Sequence, residues 1–180
     1  FCRDTSKSFN LNASSSSFND AKWSDVEVPH DWAIEGPFDP ALHGSTGKLP
    51  WVGVGWYRRT IEISPSVAGQ VRSGAALWLE FDGVMADPKV YINGAFAGGW
   101  QYGYMGFRVN IAPFVKEGVN VLAVRADTRN HQSRWYPGAG IYRDVRLVFA
   151  PAVHVVPWSE FVTTPQISKA EAKVDVAFSV

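Results

Sequence analysis

The sequence feature that most constrains the fold is a series of short runs in which apolar and polar residues alternate. The clearest run covers residues 56–63, and others follow at spacings of about 8 to 20 residues, separated by Gly, Pro or Asn. Asn93-Gly94, which joins two of the runs, is the strongest short signal for a β-hairpin. No long window keeps the helical period of about 3.6 residues, and helix candidates are limited to a turn within residues 112–116. The chain is therefore predicted to be all-β, with further strands at residues 26–29, 77–81, 90–92, 95–97, 108–111, 120–126 and 145–149.

Short strands joined by long aromatic loops are typical of a two-sheet sandwich of the jelly-roll kind. Ala150-Pro151 interrupts this pattern, and new alternating runs begin at residues 153–156, 161–163 and 172–180. We therefore divide the chain into a first domain at residues 1–150 and the beginning of a second at residues 151–180. Because so few strands cannot fold alone, the second piece is expected to pack on the first or to be poorly ordered. The chain lacks an initial Met and its last run stops in mid-alternation, so the natural polypeptide is expected to continue.

The charge of the chain argues against several classes of partner. The 17 basic residues balance the 17 acidic ones, so no net field attracts nucleic acid or an anionic membrane, and neutral partners are favoured. No apolar run approaches the roughly 20 residues that span a bilayer. The single Cys2 excludes an internal disulfide. No cofactor and no metal site are predicted. Zinc is not indicated, because His43, His131 and His154 share no metal-ligand spacing with one another or with Cys2.

The loop before the last strand of the first domain is the best indication of function. Residues 133–145 contain three aromatic side chains, two arginines, two glycines and one proline. Flat rings beside guanidinium groups are suited to gripping a polyhydroxylated ring, so sugar recognition is the first hypothesis. The candidate sugar-binding residues are Ser133, Arg134, Trp135 and Tyr136; packing of a domain seam and an oligomer contact are the alternatives. The residues expected to shape the loop and to tie its base to neighbouring strands are Gly138, Gly140, Arg143 and Asp144.

Other polar and aromatic groups carry weaker hypotheses. His30-Asp31 resembles part of an acid–base relay, but no nucleophile or oxyanion signature accompanies it, and a structural pair is favoured. Asp127 is a minority candidate for a substrate or calcium ligand, because it is close in sequence to the aromatic loop. Residues 100–104 form a second aromatic loop, for which packing at the loop tip is favoured over stacking on sugar.

Several motifs also occur together in a fixed order: Pro29-His30-Asp31-Trp32, Gly47-Lys48-Leu49-Pro50-Trp51, Gly55-Trp56-Tyr57-Arg58, Tyr91-Ile92-Asn93-Gly94, and Ser133-Arg134-Trp135-Tyr136 followed by Gly140-Ile141-Tyr142-Arg143-Asp144-Val145. In this order the sequence, over about residues 29–149, resembles the N-terminal sugar-binding domain of family 2 glycoside hydrolases, especially bacterial β-galactosidases. The resemblance implies a jelly-roll sandwich like that of galactose-binding domains, followed by an immunoglobulin-like sandwich whose first strands are residues 151–180. In such enzymes a later barrel carries two catalytic glutamates that perform retaining hydrolysis.

The function that this resemblance implies is non-catalytic. The chain is expected to be the N-terminal carbohydrate-binding and scaffolding domain of a retaining β-galactosidase-like glycosidase, whose catalytic barrel lies outside this sequence. Its loop at residues 132–142 is expected to contribute to the substrate pocket. The expected partners are a β-galactoside or related carbohydrate, bound by the full-length enzyme, and the following domains of the same polypeptide. A homo-oligomer is left open.

The resemblance leaves the sugar undecided. Ser133 stands where some galactosidases have an aspartate that holds a sugar hydroxyl and a sodium ion, so a cation at this position is not expected. The alternatives are the same domain from a β-glucuronidase or a β-mannosidase, and an independent carbohydrate-binding module. By analogy with relatives, a bacterial periplasmic or secreted location is favoured over a cytoplasmic one.

Overall fold

The computed structural model describes residues 1–4, 11–42, 44, 47–50, 52–130 and 138–180. Within these ranges the one α-helix is α1 (Pro65–Arg72), and two short 3-10 helices cover Leu11–Ser14 and Trp32–Glu35. The other regular elements are strands, so the prediction of an all-β chain is confirmed. The strands are β1 (Cys2–Asp4), β2 (Val54–Ile63), β3 (Ala76–Phe81), β4 (Lys89–Ile92), β5 (Ala95–Gly99), β6 (Phe107–Asn110), β7 (Gly118–Asp127), β8 (Val145–Ala150), β9 (Phe161–Ile167) and β10 (Ala172–Ala177).

Two antiparallel sheets form the predicted jelly-roll sandwich. The larger sheet has five strands in the order β1-β2-β7-β4-β5, and the smaller has three strands in the order β6-β3-β8. β2 and β7 pair over their full lengths, from Val54 opposite Asp127 to Ile63 opposite Gly118. Because Asp127 is the last residue of β7, this pairing fixes the point at which the chain leaves the sheet towards residues 131–137. β9 and β10 pair only with each other among the strands that the structure describes.

Alternating side chains of the strands form the core. In β3, Leu77, Leu79 and Phe81 are buried, whereas the residues between them are partly exposed, as expected for a strand with one face on the core. The rings of Phe81 and Phe107 stack with their centroids 4.8 Å apart. Ile92 of the larger sheet belongs to the same buried cluster. Full burial of a side chain of this size contributes roughly 1.5–3 kcal/mol, so each of these positions adds to the attraction between the sheets.

Two of the predicted strands are wrong. Residues 26–29 are not a strand, and residues 26–28 line an open cleft of about 800 Å³ beside β2. Pro29 has no N–H to donate to a neighbouring strand, which weakens pairing there. Residues 153–156 are not a strand either. In both places a few alternating apolar residues gave the period of a strand, but no strand in the described ranges pairs with them.

Helix α1 is an element that the sequence did not predict. The Ser64 side chain caps it by accepting a hydrogen bond from the backbone N–H of Val67 at 3.2 Å, and Pro65 occupies the first turn. Ala68 is its buried residue. So short an apolar face covers too few residues to give a periodic signal. No helix in the described ranges is long and apolar enough to cross a membrane.

The β9–β10 hairpin is attached to the sandwich through the segment that precedes it. The ring of Trp158 lies over the guanidinium group of Arg108, 4.6 Å from the ring centroid. His154 meets the ring of Trp78 edge to face, with the centroids 5.2 Å apart. The side chains of β10 are exposed throughout.

Candidate functional site

Several loops meet at the end of the sandwich where β7 ends at Asp127. Residues 138–141 lie between two other segments and hydrogen bond to both. On one side the His30 N–H donates to the Ile141 carbonyl at 2.7 Å and the Trp32 N–H to the Ala139 carbonyl at 2.9 Å. On the other side Met85 and Gly140 exchange both of their backbone hydrogen bonds, at 2.9 and 2.6 Å. We call this region the loop end; it comprises residues 30–32, 83–86, 100–105, 126–130 and 138–144.

Asp31 joins two parts of the loop end with one carboxylate oxygen. Its Oδ1 accepts hydrogen bonds from the N–H groups of Ala33 and Ala139, both at 2.9 Å. The first bond caps the short helix Trp32–Glu35, and the second holds a residue 108 positions away in the sequence. A Cβ at Gly138 would lie 2.8 Å from Asp31 Oδ2. A side chain at position 138 would therefore have to displace the Asp31 carboxylate. Asp31 acts as a structural group rather than as part of an acid–base relay.

Gly140 is the second glycine that the sequence singled out, and its backbone requires glycine for two reasons. Its φ angle is +122°, which side chains rarely allow, and a Cβ there would overlap the Tyr57 hydroxyl. Tyr57 Oη lies 2.7 Å from His30 Nδ1, and His30 Nε2 lies 2.8 Å from Glu35 Oε1. Burial raises the pKa of Tyr57 well above its ordinary value, although a hydrogen bond from the Ile141 N–H acts in the opposite direction. The phenol is therefore neutral, and it braces the loop as a hydrogen-bonding group.

A second cluster fixes the chain on the other side of residues 131–137. Asp127 Oδ1 accepts from Arg129 N at 3.0 Å and Nε at 2.9 Å, and Oδ2 accepts from Arg125 at 2.8 Å and from Arg129 at 2.6 Å. Burial alone would raise the pKa of Asp127, but the hydrogen bonds from Arg129 and Arg125 outweigh it and hold the pKa well below its usual range. These four donors use both carboxylate oxygens. Asp127 is therefore not available as a calcium or substrate ligand.

Thr128, which follows Asp127, is also hydrogen bonded to the sandwich. Thr128 is fully buried, and its N–H donates to the Gly53 carbonyl at 2.9 Å. The Gly53 N–H in turn donates to Thr128 Oγ1, also at 2.9 Å. Asp127 is held by the loop at residues 83–86 as well, because its N–H donates to the Ala86 carbonyl at 2.7 Å. Both stems of the segment at residues 131–137 are thus bonded to the sandwich.

The predicted site residues divide between the described part of the chain and the rest. Ser133, Arg134, Trp135 and Tyr136 lie outside the described residues. Asp144 accepts a hydrogen bond from Arg146 at 3.2 Å, and its carbonyl accepts from the Asp82 N–H at 3.0 Å. The Arg143 guanidinium lies over the ring of Tyr142, 5.4 Å from its centroid, and forms no ion pair with any described residue.

Sequence reasoning missed several groups that fix the loop stems. Nothing in the sequence linked Tyr57 or Met85 to the loop, because both lie far from it along the chain. Arg125, Asp127 and Arg129 alternate in charge at the end of a predicted strand, which could have indicated an ion pair on one face. No group of three or more His, Cys, Asp or Glu side chains in the described ranges could hold a metal ion. The arrangement of described residues is that of a rigid support for a loop.

Comparison with known proteins agrees with this arrangement. Residues 48–151 match the family described as "Glycosyl hydrolases family 2, sugar binding domain". The chain is 40% identical over 171 residues to β-galactosidase BoGH2A of Bacteroides ovatus, covering 93% of this chain and 19% of that protein. It is 36% identical over 165 residues to a putative β-glucuronidase of Formosa agariphila, covering 91% of this chain and 16% of that protein.

A solved structure also resembles this chain over nearly its whole length. The crystal structure of a β-glycosidase from Bacteroides vulgatus superposes with a TM-score of 0.83 at 32% identity, covering 99% of this chain and 23% of that one. The chain thus spans about a fifth of the length of these relatives. Because the family match covers more than half of the chain and the sandwich agrees with it, the chain belongs to the sugar-binding domain family of the family 2 glycosyl hydrolases.

Proposed function

We propose that this chain is the non-catalytic sugar-binding domain of a larger family 2 glycosidase, and that residues 131–137 form part of the substrate pocket of the whole enzyme. In this proposal Ser133, Arg134, Trp135 and Tyr136 contact the sugar. The observation that carries it is the bonding of both loop stems, by Arg125, Asp127 and Arg129 on one side and by the partners of residues 138–141 on the other.

Fixed stems support a binding role for physical reasons. A loop that is held at both ends loses less conformational freedom when it binds a ligand, so more of its contact energy appears as affinity. A Trp or Tyr ring face complements the C–H side of a pyranose, and guanidinium groups donate to its hydroxyls. A loop of this composition between two buried, bonded stems is therefore well suited to a sugar.

Catalysis is assigned to polypeptide outside this chain. Retaining hydrolysis requires two carboxyl groups about 5–5.5 Å apart, with one free to attack and one to donate a proton. Among the described residues, the carboxylates at the loop end serve other purposes: Asp31 caps a helix and holds Ala139, and Asp127 is held by two arginines. We further propose that the sandwich comprises residues 1–150 and that residues 151–180 begin an immunoglobulin-like domain, which accounts for the separate β9–β10 sheet.

We propose a β-galactoside as the sugar, because the relative of 40% identity is named as a β-galactosidase. A β-glucuronide is the second candidate, since the relative of 36% identity is named as a putative β-glucuronidase. A glucuronide carboxylate calls for basic groups in the pocket, and Arg134 supplies one in this chain. Measuring kcat/KM of the whole enzyme on nitrophenyl β-galactoside and β-glucuronide decides between them.

The test of the loop's role is the variant Trp135→Ala in the whole enzyme. We expect KM for the β-galactoside to rise with an unchanged unfolding temperature, because a substrate contact is lost and no described part of the core is disturbed. Phe178→Ala is the control, since Phe178 is an exposed aromatic residue outside the loop end. An unchanged KM, or a lower unfolding temperature as the sole effect, contradicts the proposal and assigns residues 131–137 to structure.

A separate measurement tests the rival hypothesis of an independent carbohydrate-binding module. Calorimetric titration of the chain with galactose and lactose is expected to show millimolar or weaker affinity, because the pocket is completed by other domains. Micromolar binding by the chain alone would favour the independent module.

A further inference from the structure

We propose that a depression at the corner between the loop end and the outer face of the smaller sheet is a second carbohydrate-binding site, which takes a neutral glycan. The depression has a volume of about 560 Å³ and is lined by residues that include Trp158, Arg143, Met105 and Asp82. The inference rests on the proposed function in expecting a sugar ligand. It involves none of the residues at 131–137, so the two proposals can fail separately.

Trp158 is the first observation. Its φ angle is +61°, in the left-handed region where a bulky side chain is an outlier. The side chain is 70% exposed, so burial does not offset the backbone strain. Strained residues of this kind concentrate at binding sites, where the surrounding structure fixes them for a purpose. The Arg108 guanidinium lies over the ring at 4.6 Å from its centroid, and the exposed part of the ring is the surface that we propose contacts the ligand.

The support beneath Trp158 is itself fixed. Arg108 donates a short hydrogen bond to Glu80, and Glu80 also accepts from Arg146 at 3.4 Å. Arg108 and Glu80 lie opposite each other on paired strands of the smaller sheet. A ring that is fixed before binding loses little freedom on contact with a ligand. Trp158 therefore provides a rigid stacking surface.

Arg143 supplies hydrogen-bond donors beside this ring. It forms no ion pair with another described residue, and its guanidinium lies over the ring of Tyr142 at 5.4 Å. Tyr142 is held in turn, because its hydroxyl donates to the Gly103 carbonyl at 2.7 Å. An arginine held by a ring but not by a carboxylate keeps its N–H donors for sugar hydroxyls. The depression thus combines a stacking face with donors that no carboxylate of the described residues takes up, a combination suited to a carbohydrate.

The charge around the depression indicates a neutral ligand. Arg146 donates to both Asp82 oxygens, at 2.8 and 2.7 Å, and to Asp144 at 3.2 Å. Among the charged side chains around the depression, three arginine charges therefore balance three carboxylate charges. A sulfated or uronate chain would meet these carboxylates without a net positive field to offset them. The charged groups of the cluster are Arg108, Arg143, Arg146, Glu80, Asp82 and Asp144.

The experiment is a titration of the 180-residue chain with a neutral galacto-oligosaccharide, followed by the indole N–H resonances in heteronuclear NMR. We expect the Trp158 resonance to shift on binding. We expect Trp158→Ala and Arg143→Gln each to weaken binding by about five- to tenfold, the loss that corresponds to one aromatic contact or one charged hydrogen bond. An acidic glucurono-oligosaccharide of equal length should bind more weakly than the neutral one.

Matched variants separate this site from the loop at residues 131–137. Trp100→Ala removes an exposed tryptophan that does not line the depression, and Trp135→Ala removes one from the loop. Neither should change the shift at Trp158. The proposal is overturned if the Trp158 resonance does not respond, or if Trp135→Ala abolishes binding while Trp158→Ala preserves it. It is also overturned if Trp158→Ala only lowers the unfolding temperature, which would make the depression a packing seam.

Discussion

Replacing Asp127 by alanine should strongly destabilise the sandwich. The side chains of Asp127 and Arg125 are 8% and 7% exposed, so the substitution leaves a guanidinium charge buried beside β2 without its partner. Removing one member of a buried ion pair costs about 3–5 kcal/mol. Arg129 is 34% exposed and can turn to solvent, so Arg125 alone sets the loss. We therefore expect Asp127→Ala to lower the free energy of unfolding by about 3 kcal/mol, near the lower end of that range.

A double-mutant cycle with Arg125→Met identifies the cause of this loss. Without the buried charge, Asp127→Ala should cost about 2 kcal/mol less than in the native background. Urea unfolding of the variants, followed by tryptophan fluorescence, measures both quantities. Asp175→Ala is the control, since the Lys173–Asp175 pair is exposed and separated by 3.6 Å, and such pairs contribute about 0–1 kcal/mol. A loss below about 1 kcal/mol for Asp127→Ala, or strictly additive effects in the cycle, would refute this reasoning.

The ion pair between Asp127 and Arg125 also makes the stability of the fold depend on pH in the acid range. The pKa of Asp127 is lower in the folded chain than the ordinary aspartate value of about 3.9, so the folded carboxylate binds protons less readily than the unfolded one. Its contribution is therefore fully present above that ordinary value and decreases as the pH falls below it. Asp127→Ala should remove this part of the decline, which begins as the pH falls through about 4. An identical pH profile for native chain and variant would show that other carboxylates cause it.

Three further predictions concern single positions. Asn120→Ala removes four hydrogen bonds of a fully buried side chain and should lower the free energy of unfolding by about 2–4 kcal/mol in urea. Gly140→Ala should lower the free energy of unfolding by about 1–3 kcal/mol more than Gly118→Ala. Both glycines have positive φ, but open space surrounds Gly118, whereas the Tyr57 hydroxyl lies where a Cβ of residue 140 would be. Equal losses of stability would mean that the Tyr57 hydroxyl moves aside easily. In an alkaline absorbance titration, Tyr57 should ionise after the other tyrosines, and Tyr57→Phe should remove that late phase; its persistence would assign the phase elsewhere.

Much of the strand content could be predicted from the sequence, because half-buried strands produce a period of two residues. The run at residues 56–63 and the hairpin at Asn93-Gly94 correspond to β2 and to the turn between β4 and β5. The wrong strand at residues 26–29 shares the same local pattern, and what it lacks is a partner strand. Pairing depends on residues far away in the sequence, so a local pattern cannot reveal its absence.

The candidate site was predictable only where a residue's own type carries the signal. Gly138 and Gly140 indicated close backbone approach, and the structure gives the reason: Asp31 and Tyr57 occupy the space that a Cβ would need. Those two groups lie 107 and 83 positions earlier in the chain. A single sequence contains no measure of which distant residues meet, so the loop could be recognised but its support could not.

The buried polar residues of the described core explain how stability and site position are linked. Asn120, Arg125, Asp127 and Thr128 all lie on β7 or directly after it. Asn120 fixes one end of the strand through the turn at residues 116–118, and Asp127 fixes the other through Arg129. A shift of β7 by one residue against β2 would move every side chain to the opposite face and separate these polar groups from their partners. The polar ends thus specify one register, and that register determines where the chain leaves the sheet towards residues 131–137.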